Sequence, residues 1–281
     1  MKPSEIDHVA RCACESKRYA LIGFVAAGAF KRTYHARLTT GESVAMKVYQ
    51  PGFSQERTMR EIQAMQKCSH PGVASLRDLF TYDVSGQTYM VTLEEFLPDG
   101  TLASRLQNGH LLSPEEVAGL ARELGAAIAH VASMELVRRD IKPENIMFRG
   151  TTPVIVDFGL VRDLGATSLT QTWLASGPGT PFFASPEQLR NEKALIDWRS
   201  DQFSLGVTLA ICAFGYHPFA TSASPAETIE RVIQRAGPDP SFEAEARRSG
   251  LAPLVKMVDP WPVRRYRFPT DLQVAWQRSE Q

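Results

Sequence analysis

The 281-residue sequence lacks an excess of charge of either sign, since 31 lysines and arginines balance 31 aspartates and glutamates. Domains that bind nucleic acids or anionic membranes usually present a basic field. The balance of charges disfavours both kinds of partner, and we expect no nucleic-acid partner.

Long hydrophobic runs are also missing. The most apolar segment, FSLGVTLAICAF at 203–214, is shorter than the roughly 20 residues that a membrane-spanning helix needs. The chain also does not open with a basic stretch followed by an apolar run, which is the pattern of a secretory signal. These absences predict a cytoplasmic protein without membrane insertion.

Cysteine is scarce, and its four residues are scattered: Cys12, Cys14, Cys68 and Cys212. This distribution suits reduced thiols better than a disulfide framework. Cys12 and Cys14 form a C-x-C pair, but a closed zinc site needs about four ligands and no second pair lies nearby. Metal binding at this pair is therefore disfavoured.

The pattern of apolar and polar residues changes near Gly100. Before it, short strand-like runs (YALIGFV, SVAMKVY, QTYMVTLEEF) surround one helical segment, ERTMREIQAMQKC, whereas long helical patterns follow it. The connector FLPDGTL separates the two regions. We predict an α+β fold with an N-terminal extension at 1–18, a small β-rich lobe at 19–97 and a larger, mainly helical lobe at 98–281.

One helix start is well marked in SPEEVAGLARELGAAIAHVASMEL. Ser113 suits the N-cap, Pro114 the first helical position, and Glu116 the position that completes a capping box. We predict that a long helix begins at Pro114.

Residues with catalytic potential concentrate in VRRDIKPENIMF, which begins at residue 137, and in VIVDFGL, which follows it. Phosphoryl transfer needs a carboxylate that orients the attacking hydroxyl, oxygen ligands for a metal ion, and cations that offset phosphate charge. Asp140, Lys142, Asn145 and Asp157 supply all three. The alternative is a solvated turn followed by a hairpin tip, but the order and spacing of the four residues favour a catalytic loop.

These residues resemble the catalytic loop and metal-binding turn of eukaryotic-like (Hanks-type) protein serine/threonine kinases, and the resemblance covers nearly the whole chain after about Tyr19. It implies the bilobal protein-kinase fold, with Asp140 as catalytic base and Lys142 on the γ-phosphate of ATP. It also implies that Asn145 and Asp157 bind Mg²⁺, for which Mn²⁺ is an alternative. The segments most similar to bacterial members are TQT at 170–172 and SPEQL at 185–189.

The same resemblance assigns the nucleotide contacts. Lys47 in SVAMKVY matches the lysine that contacts the α- and β-phosphates, and Glu61 in REIQAMQ matches the helix glutamate that pairs with it. Gly28 in VAAGAFKRTYHA keeps one glycine of the glycine-rich loop, while Ala26 and Lys31 replace two others. Lys31 stands where the with-no-lysine kinases place their phosphate-contacting lysine, so it is either a second cation or a solvated surface lysine.

The adenine is expected to meet the backbone of Glu95 and Leu97. Val25, Ala45 and Met147 would line the purine slot, although core packing explains these apolar residues equally well.

Glu94 falls at the gatekeeper position beside this backbone, where a buried, unpaired carboxylate is costly. Either it pairs with a nearby cation or the alignment is shifted by one residue.

The substrate side also matches the family. Thr180 matches the threonine that meets the catalytic aspartate and lysine, and Glu187 matches the glutamate that pairs with a distant arginine, here Arg265. Asp201 matches the buried aspartate that holds the catalytic-loop backbone. This platform favours a protein acceptor over a small molecule.

The loop before Thr180 carries Thr170 and Thr172, and Arg139 directly precedes the catalytic aspartate. A phosphate on either threonine could pair with Arg139 and order the loop, while the alternative is a solvated loop rich in hydroxyls. Arg138 stands where the family usually has histidine, but it removes none of the chemical groups named above.

The leading hypothesis is a protein serine/threonine kinase that transfers the γ-phosphate of ATP to a protein substrate and autophosphorylates its activation loop. A regulatory protein acting in trans is a further candidate partner. Two alternatives stay open. One is a pseudokinase-like binding or scaffold module, suggested by Arg138 and the altered glycine loop, and the other is a small-molecule kinase.

Overall fold

The computed structural model describes residues 3–28, 31–51, 66, 68–134, 136–137, 140–156 and 180–278. Contacts divide the chain into two compact units. Unit 1 comprises Met1–Ser69 and Val73–Pro98, and unit 2 comprises His70–Gly72 and Asp99–Gln281. The division after Pro98 lies next to the boundary that composition indicates. In the described ranges, no helix is long and apolar enough to cross a membrane.

Unit 1 contains a five-stranded antiparallel sheet in the order β1-β2-β3-β5-β4. The strands are β1 (Ala20–Ala27), β2 (Lys31–Arg37), β3 (Ser43–Tyr49), β4 (Leu76–Val84) and β5 (Gln87–Glu95). The three strand-like runs in the sequence are confirmed as β1, β3 and β5, whereas β2 and β4 are additional strands.

Strand β3 places Ala45 and Lys47 on one face of the sheet and Met46 on the other, because successive side chains alternate. In the pairing of β3 with β5, Ala45 lies opposite Glu94 and Lys47 lies opposite Thr92. Lys47 and Glu94 are therefore diagonal neighbours on the same face.

A helix, α1 (Pro3–Lys17), packs against the opposite face of this sheet. Its buried side chains Ile6, Val9, Ala10 and Cys14 recur at helical spacing and are at most 3% exposed. They share one hydrophobic cluster with the sheet residues Val44, Met46, Val48, Val91 and Leu93. Helix α1, within the predicted N-terminal extension, thus contributes to the core of unit 1.

Polar contacts also hold α1 on the sheet. The Tyr34 hydroxyl of β2 donates a hydrogen bond to Asp7 Oδ1 at 2.6 Å, and Arg32 Nε lies 3.0 Å from the same oxygen. Burial and the bond to Asp7 raise the pKa of Tyr34, so this phenol stays protonated and remains a donor.

Unit 2 is mainly helical, with a two-stranded antiparallel hairpin of β6 (Ile146–Arg149) and β7 (Thr152–Ile155). Its described helices are α2 (Leu102–Arg105), α3 (Pro114–Ser133), α4 (Pro186–Leu189), α5 (Trp198–Phe214), α6 (Pro225–Ile233), α7 (Pro240–Arg248), α8 (Pro253–Met257) and α9 (Pro269–Arg278).

Helix α3 begins as predicted. The Glu116 N–H donates to Ser113 Oγ at 3.2 Å, and the Ser113 N–H donates to the Glu116 carboxylate at 2.8 Å, with Pro114 at the first helical position. These bonds satisfy backbone donors that have no partner inside the helix.

Helix α5 contains the apolar segment 203–214 and is buried over most of its surface. A helix that is apolar all round belongs in a protein core, which explains why this run is not amphipathic. At its start the Asp197 side chain accepts from the Arg199 N–H, and Gly215 caps its end. Gly215 has a φ of 76°, a left-handed conformation that glycine adopts without strain.

Candidate functional site

Residues 140–145 form a loop before β6 that is fixed to the core of unit 2. Ile141 is fully buried, and its carbonyl accepts a hydrogen bond from Thr208 Oγ1 of α5 at 3.5 Å. The Asn145 N–H donates to the Lys142 carbonyl at 2.9 Å and closes a 3-10 turn, Pro143–Asn145. The Asn145 carbonyl in turn accepts from the Val156 N–H at 2.9 Å.

This loop brings three of the predicted catalytic residues together. Asn145 Nδ2 donates to Asp140 Oδ2 at 2.9 Å and to the Asp140 carbonyl at 3.0 Å. Lys142 Nζ lies 3.4 Å from the same Oδ2. The Asp140 side chain is 20% exposed, so its carboxylate is oriented by an amide and an ammonium while still reachable from solvent. An oriented, accessible carboxylate is suited to accept a proton from a substrate hydroxyl.

Asn145 also carries an atom suited to a metal ion. Because its Nδ2 is engaged with Asp140, Oδ1 is the atom that it can offer to a hard cation such as Mg²⁺. The second predicted ligand, Asp157, lies outside the described residues. Within the part of the chain that the structure describes, no group of three or more His, Cys, Asp or Glu residues could hold a metal ion. The chemistry of a carboxylate, an amide oxygen and phosphate oxygens nevertheless fits magnesium, which keeps several water ligands.

In unit 1, Lys47 forms an ion pair with Glu94. Lys47 Nζ lies 2.5 Å from Glu94 Oε2, and the two side chains are only 6% and 4% exposed. Thr92 Oγ1 is 3.3 Å from Glu94 Oε1 and donates to it. Of the two interpretations of Glu94, pairing with a nearby cation is therefore confirmed. Glu61, the partner that the resemblance implies for Lys47, lies outside the described residues.

A backbone hydrogen bond joins Gly28, just after β1, to Lys31, the first residue of β2: the Gly28 N–H donates to the Lys31 carbonyl at 2.9 Å. A Cβ on Gly28 would lie 3.8 Å from its nearest neighbours, and its φ is outside the left-handed region, so this backbone does not require glycine. Lys31 Nζ lies 5.8 Å from the centroid of the Tyr49 ring. Because Thr33 pairs opposite Lys47, alternation along β2 puts Lys31 and Lys47 on one sheet face.

The predicted adenine-contacting segment is held at the end of β5. The Glu95 N–H donates to the Ser75 carbonyl at 2.9 Å, and Ser75 Oγ is 3.4 Å from Glu95 Oε2. The Phe96 ring stacks on His35 with centroids 3.9 Å apart, and Leu97 is buried. These contacts fix the backbone of this segment within unit 1.

The three predicted purine-slot residues belong to different units. Val25 and Ala45 are in unit 1, where Val25 is 48% exposed and Ala45 is half-buried, and Met147 is half-buried on β6 of unit 2. Their contact with a purine stays a prediction.

The pairing of Glu187 with Arg265 is confirmed. Two parallel bonds of 2.6 and 3.0 Å join the guanidinium to the carboxylate, and both side chains have no solvent exposure. Ser200 Oγ donates to Glu187 at 2.7 Å, and Arg265 also donates to backbone carbonyls, including that of Asp259 at 2.7 Å. A buried ion pair is tolerated when its remaining bonding groups are satisfied in this way. The pair anchors α4 to the segment after α8.

Asp201 is buried in the first turn of α5, as predicted, while its role in holding the loop backbone stays a prediction. Thr180 begins a 3-10 turn, Thr180–Phe183. Several predicted residues lie outside the described part of the chain: Arg138, Arg139, Thr170 and Thr172.

His217 is a structural residue that the sequence analysis missed. It is 2% exposed and accepts a hydrogen bond from the Phe219 N–H on Nδ1 at 3.1 Å. Its Nε2 therefore carries the proton and donates to the Phe182 carbonyl at 2.9 Å. Burial lowers the pKa of His217 to about 4, and the bond to Phe182 opposes the shift. His217 ties the segment around Phe182 to the core, and a lone histidine in GYHPF carries no sequence signal of such a role.

Comparison with known proteins adds independent evidence. The family model described as protein kinase domain matches residues 19–265. The serine/threonine-protein kinase AfsK of Streptomyces griseus is 30% identical over 243 residues, which are 85% of this chain and 28% of that protein. The serine/threonine-protein kinase PrkC of Bacillus subtilis is 29% identical over 211 residues, covering 73% of this chain and 31% of the relative.

A third relative, the serine/threonine-protein kinase PknD of Mycobacterium tuberculosis, is 26% identical over 283 residues, covering 96% of this chain and 40% of PknD. The chain therefore spans between about a quarter and two fifths of the length of these relatives.

Proposed function

We propose, since the chain belongs to the protein kinase family, that it transfers the γ-phosphate of ATP to serine or threonine hydroxyls of a protein. Membership of the family implies the use of ATP and a divalent metal ion. Mg²⁺ is the ion that we propose, with Mn²⁺ as the alternative. The similarity to AfsK and PrkC, both named serine/threonine-protein kinases, supports the choice of acceptor.

The strongest support for this function is the contact between Asp140, Lys142 and Asn145. A scaffold without turnover would not need a carboxylate held at 2.9 Å by an amide and at 3.4 Å by an ammonium. This arrangement instead provides a base, a cation and a metal-binding oxygen within six consecutive residues.

The proposed step assigns a role to each side chain. Asp140 accepts a hydrogen bond from the serine or threonine hydroxyl and takes its proton as the oxygen bonds to the γ-phosphorus. The bond from that phosphorus to the bridging oxygen breaks, and ADP leaves. Lys142 offsets charge on the transferring phosphoryl group, and Asn145 Oδ1 with Asp157 would hold the metal ion. When bound, that ion neutralises charge on the phosphate oxygens.

For the nucleotide, we assign the α- and β-phosphates to Lys47, with Lys31 as a second cation on the same sheet face. The backbone of Glu95 and Leu97 is proposed to meet the adenine. The remaining proposed contacts are Gly28 at the phosphates, Val25, Ala45 and Met147 at the purine, and Glu61 beside Lys47.

A protein acceptor is favoured over a small molecule by the segment from Thr180 to α4, which the Glu187–Arg265 pair and His217 hold in place. Autophosphorylation of Thr170 or Thr172 and control by a regulatory protein in trans are parts of this proposal. The cytoplasmic location stays a prediction.

The test is transfer of label from ATP in the presence of Mg²⁺, comparing wild type with Asp140→Asn after both are shown to be folded. Because a positioned general base contributes typically 10²–10⁴-fold, we expect at least about a hundredfold loss of transfer. Glu144→Gln is the matched control, since it removes a carboxylate from an exposed position in the same turn. Its transfer rate should stay within about twofold of wild type.

Equal rates for Asp140→Asn and wild type would refute the assignment of Asp140. A wild type that binds ATP without transferring phosphate, even with a panel of protein acceptors, would support the binding or scaffold module instead.

A further inference from the structure

The Lys47–Glu94 ion pair joins the proposed phosphate-contacting lysine to a side chain on a neighbouring strand. Its two charged atoms are 2.5 Å apart, and the two side chains are only 6% and 4% exposed. The Glu94 carboxylate without a cationic partner would be strongly disfavoured at such a position, because it would have lost its water without gaining a compensating charge. The two side chains therefore stabilise each other in their charged forms.

The backbone limits how far the two residues can separate. Strands β3 and β5 pair in a continuous register from Val44 opposite Glu95 to Val48 opposite Val91. Lys47 and Glu94 both lie within this ladder, so their backbone positions cannot move apart without breaking backbone hydrogen bonds. Glu94 can thus hold Lys47 in place from within the same sheet.

The carboxylate of Glu94 is itself oriented. Thr92 Oγ1 donates to Oε1 at 3.3 Å, while Oε2 contacts Lys47. Thr92 is fully buried and lies opposite Lys47 in the ladder. With both oxygens engaged, the carboxylate presents one fixed acceptor to the ammonium.

We propose that Glu94 is a positioning residue for Lys47, which it holds in place for contact with nucleotide phosphates. This inference rests on the proposed function, because it assumes that Lys47 contacts ATP. It adds a carboxylate of the sheet to the helix glutamate, Glu61, that the resemblance assigns to this lysine.

A purely electrostatic effect of Glu94 predicts the opposite change in affinity for ATP, so the measured Kd distinguishes the two explanations. Removing the negative charge of Glu94 makes the sheet face more positive, and a triphosphate should then bind more tightly. If Glu94 positions Lys47, its neutral variant should bind ATP more weakly despite the gain in positive charge.

The experiment measures the Kd of Mg·ATP and of adenosine for Glu94→Gln by calorimetry. We expect the Kd for Mg·ATP to rise by about fivefold or more, because a charge-assisted contact to phosphate is misplaced. Adenosine has no phosphate, so its Kd should stay within about twofold of the wild-type value. Glu94→Asp keeps the charge on a shorter side chain and should give a Kd for Mg·ATP between those of wild type and Glu94→Gln.

Asp83→Asn is the matched control, since it removes one negative charge from an exposed position on β4. Its affinity for both ligands should equal that of wild type.

A second measurement follows thermal unfolding without nucleotide. Lys47→Met leaves Glu94 buried without its charged partner, and we expect the Tm to fall on the order of 10 °C. The double variant Lys47→Met/Glu94→Met removes both charges and should recover most of this loss.

The positioning role is overturned if Glu94→Gln binds Mg·ATP as tightly as wild type or more tightly. It is also overturned if the affinities for ATP and adenosine fall together, since Glu94 would then shape the purine slot. A wild type that binds adenosine but gains nothing from the phosphates of ATP would refute the proposed function and this role with it. The unfolding cycle would still measure the ion pair in that case, so the two failures are distinguishable.

Discussion

His217 joins two segments of unit 2 through its two ring nitrogens. Nδ1 accepts from the Phe219 N–H and Nε2 donates to the Phe182 carbonyl, an arrangement that requires the neutral imidazole. Protonation would place a hydrogen on Nδ1, so that the Phe219 N–H would lose its acceptor inside the core. The pKa of about 4 reflects this environment, with burial as the larger cause.

We expect acid to destabilise unit 2 through this histidine. The pKa is lowered from 6.5 to about 4 on folding, so the unfolded chain binds the proton more readily between these values. The stabilisation is therefore fully present above pH 6.5 and is lost as the pH falls towards 4. From pH 8 to pH 5 the loss should be about 2 kcal/mol, measured by urea unfolding.

In His217→Gln, the free energy of unfolding should fall by about 2 kcal/mol less between pH 8 and pH 5 than it does in wild type. His110 is exposed, and His110→Gln is the control, which should show the wild-type dependence of the free energy of unfolding on pH. An unchanged slope in His217→Gln would contradict the assignment.

Among the elements, helix α1 makes an energetic contribution that its position at the start of the chain does not suggest. Its apolar residues at i, i+3, i+4 and i+8 complete the hydrophobic cluster on one face of the sheet. The pattern was available in the sequence as an amphipathic spacing, but nothing local indicates which surface the helix covers. Only the formed sheet, with Val44, Met46 and Val48 on one face, provides that surface.

Truncating the core side of α1 should destabilise unit 1. Ile6 is 3% exposed, and Ile6→Ala should lower the free energy of unfolding by about 2–5 kcal/mol, because it removes buried methyl groups and leaves a cavity. Denaturant unfolding followed by circular dichroism measures the change. Glu5 is an exposed neighbour, and Glu5→Ala should change the free energy of unfolding by less than about 0.5 kcal/mol. Equal effects of the two substitutions would argue against the docking of α1.

The elements differ in how well the sequence predicts them. Strands β3 and β5 have apolar alternation and β-branched residues, and α3 has a capping box, so local rules suffice for these three. Strand β2 is different, since KRTYHAR carries charged residues on a strand that is half-buried only because β1, β3 and α1 surround it. Its formation depends on tertiary contacts, which override local propensity.

At the scale of the whole molecule, the two units differ in what the sequence reveals of the site. The proposed catalytic residues of unit 2 lie within six positions of one another, so the spacing of Asp140, Lys142 and Asn145 predicts their contact. The Glu187–Arg265 pair is predictable only through the family resemblance, because its members lie 78 positions apart in the sequence. The Lys47–Glu94 pair spans 47 residues and depends on the register of β3 against β5, which the sequence does not specify by itself.

The fate of two labels of ATP, followed in the presence of Mg²⁺, decides whether this chain phosphorylates proteins. One preparation carries the label on the γ-phosphate and the other on the α-phosphate, and both are offered to a mixture of protein and small-molecule acceptors. We expect the γ-label alone to appear on protein, as phosphoserine or phosphothreonine. Label on a small-molecule acceptor and not on protein, or transfer of the α-label, would contradict the assignment of this chain as a protein serine/threonine kinase.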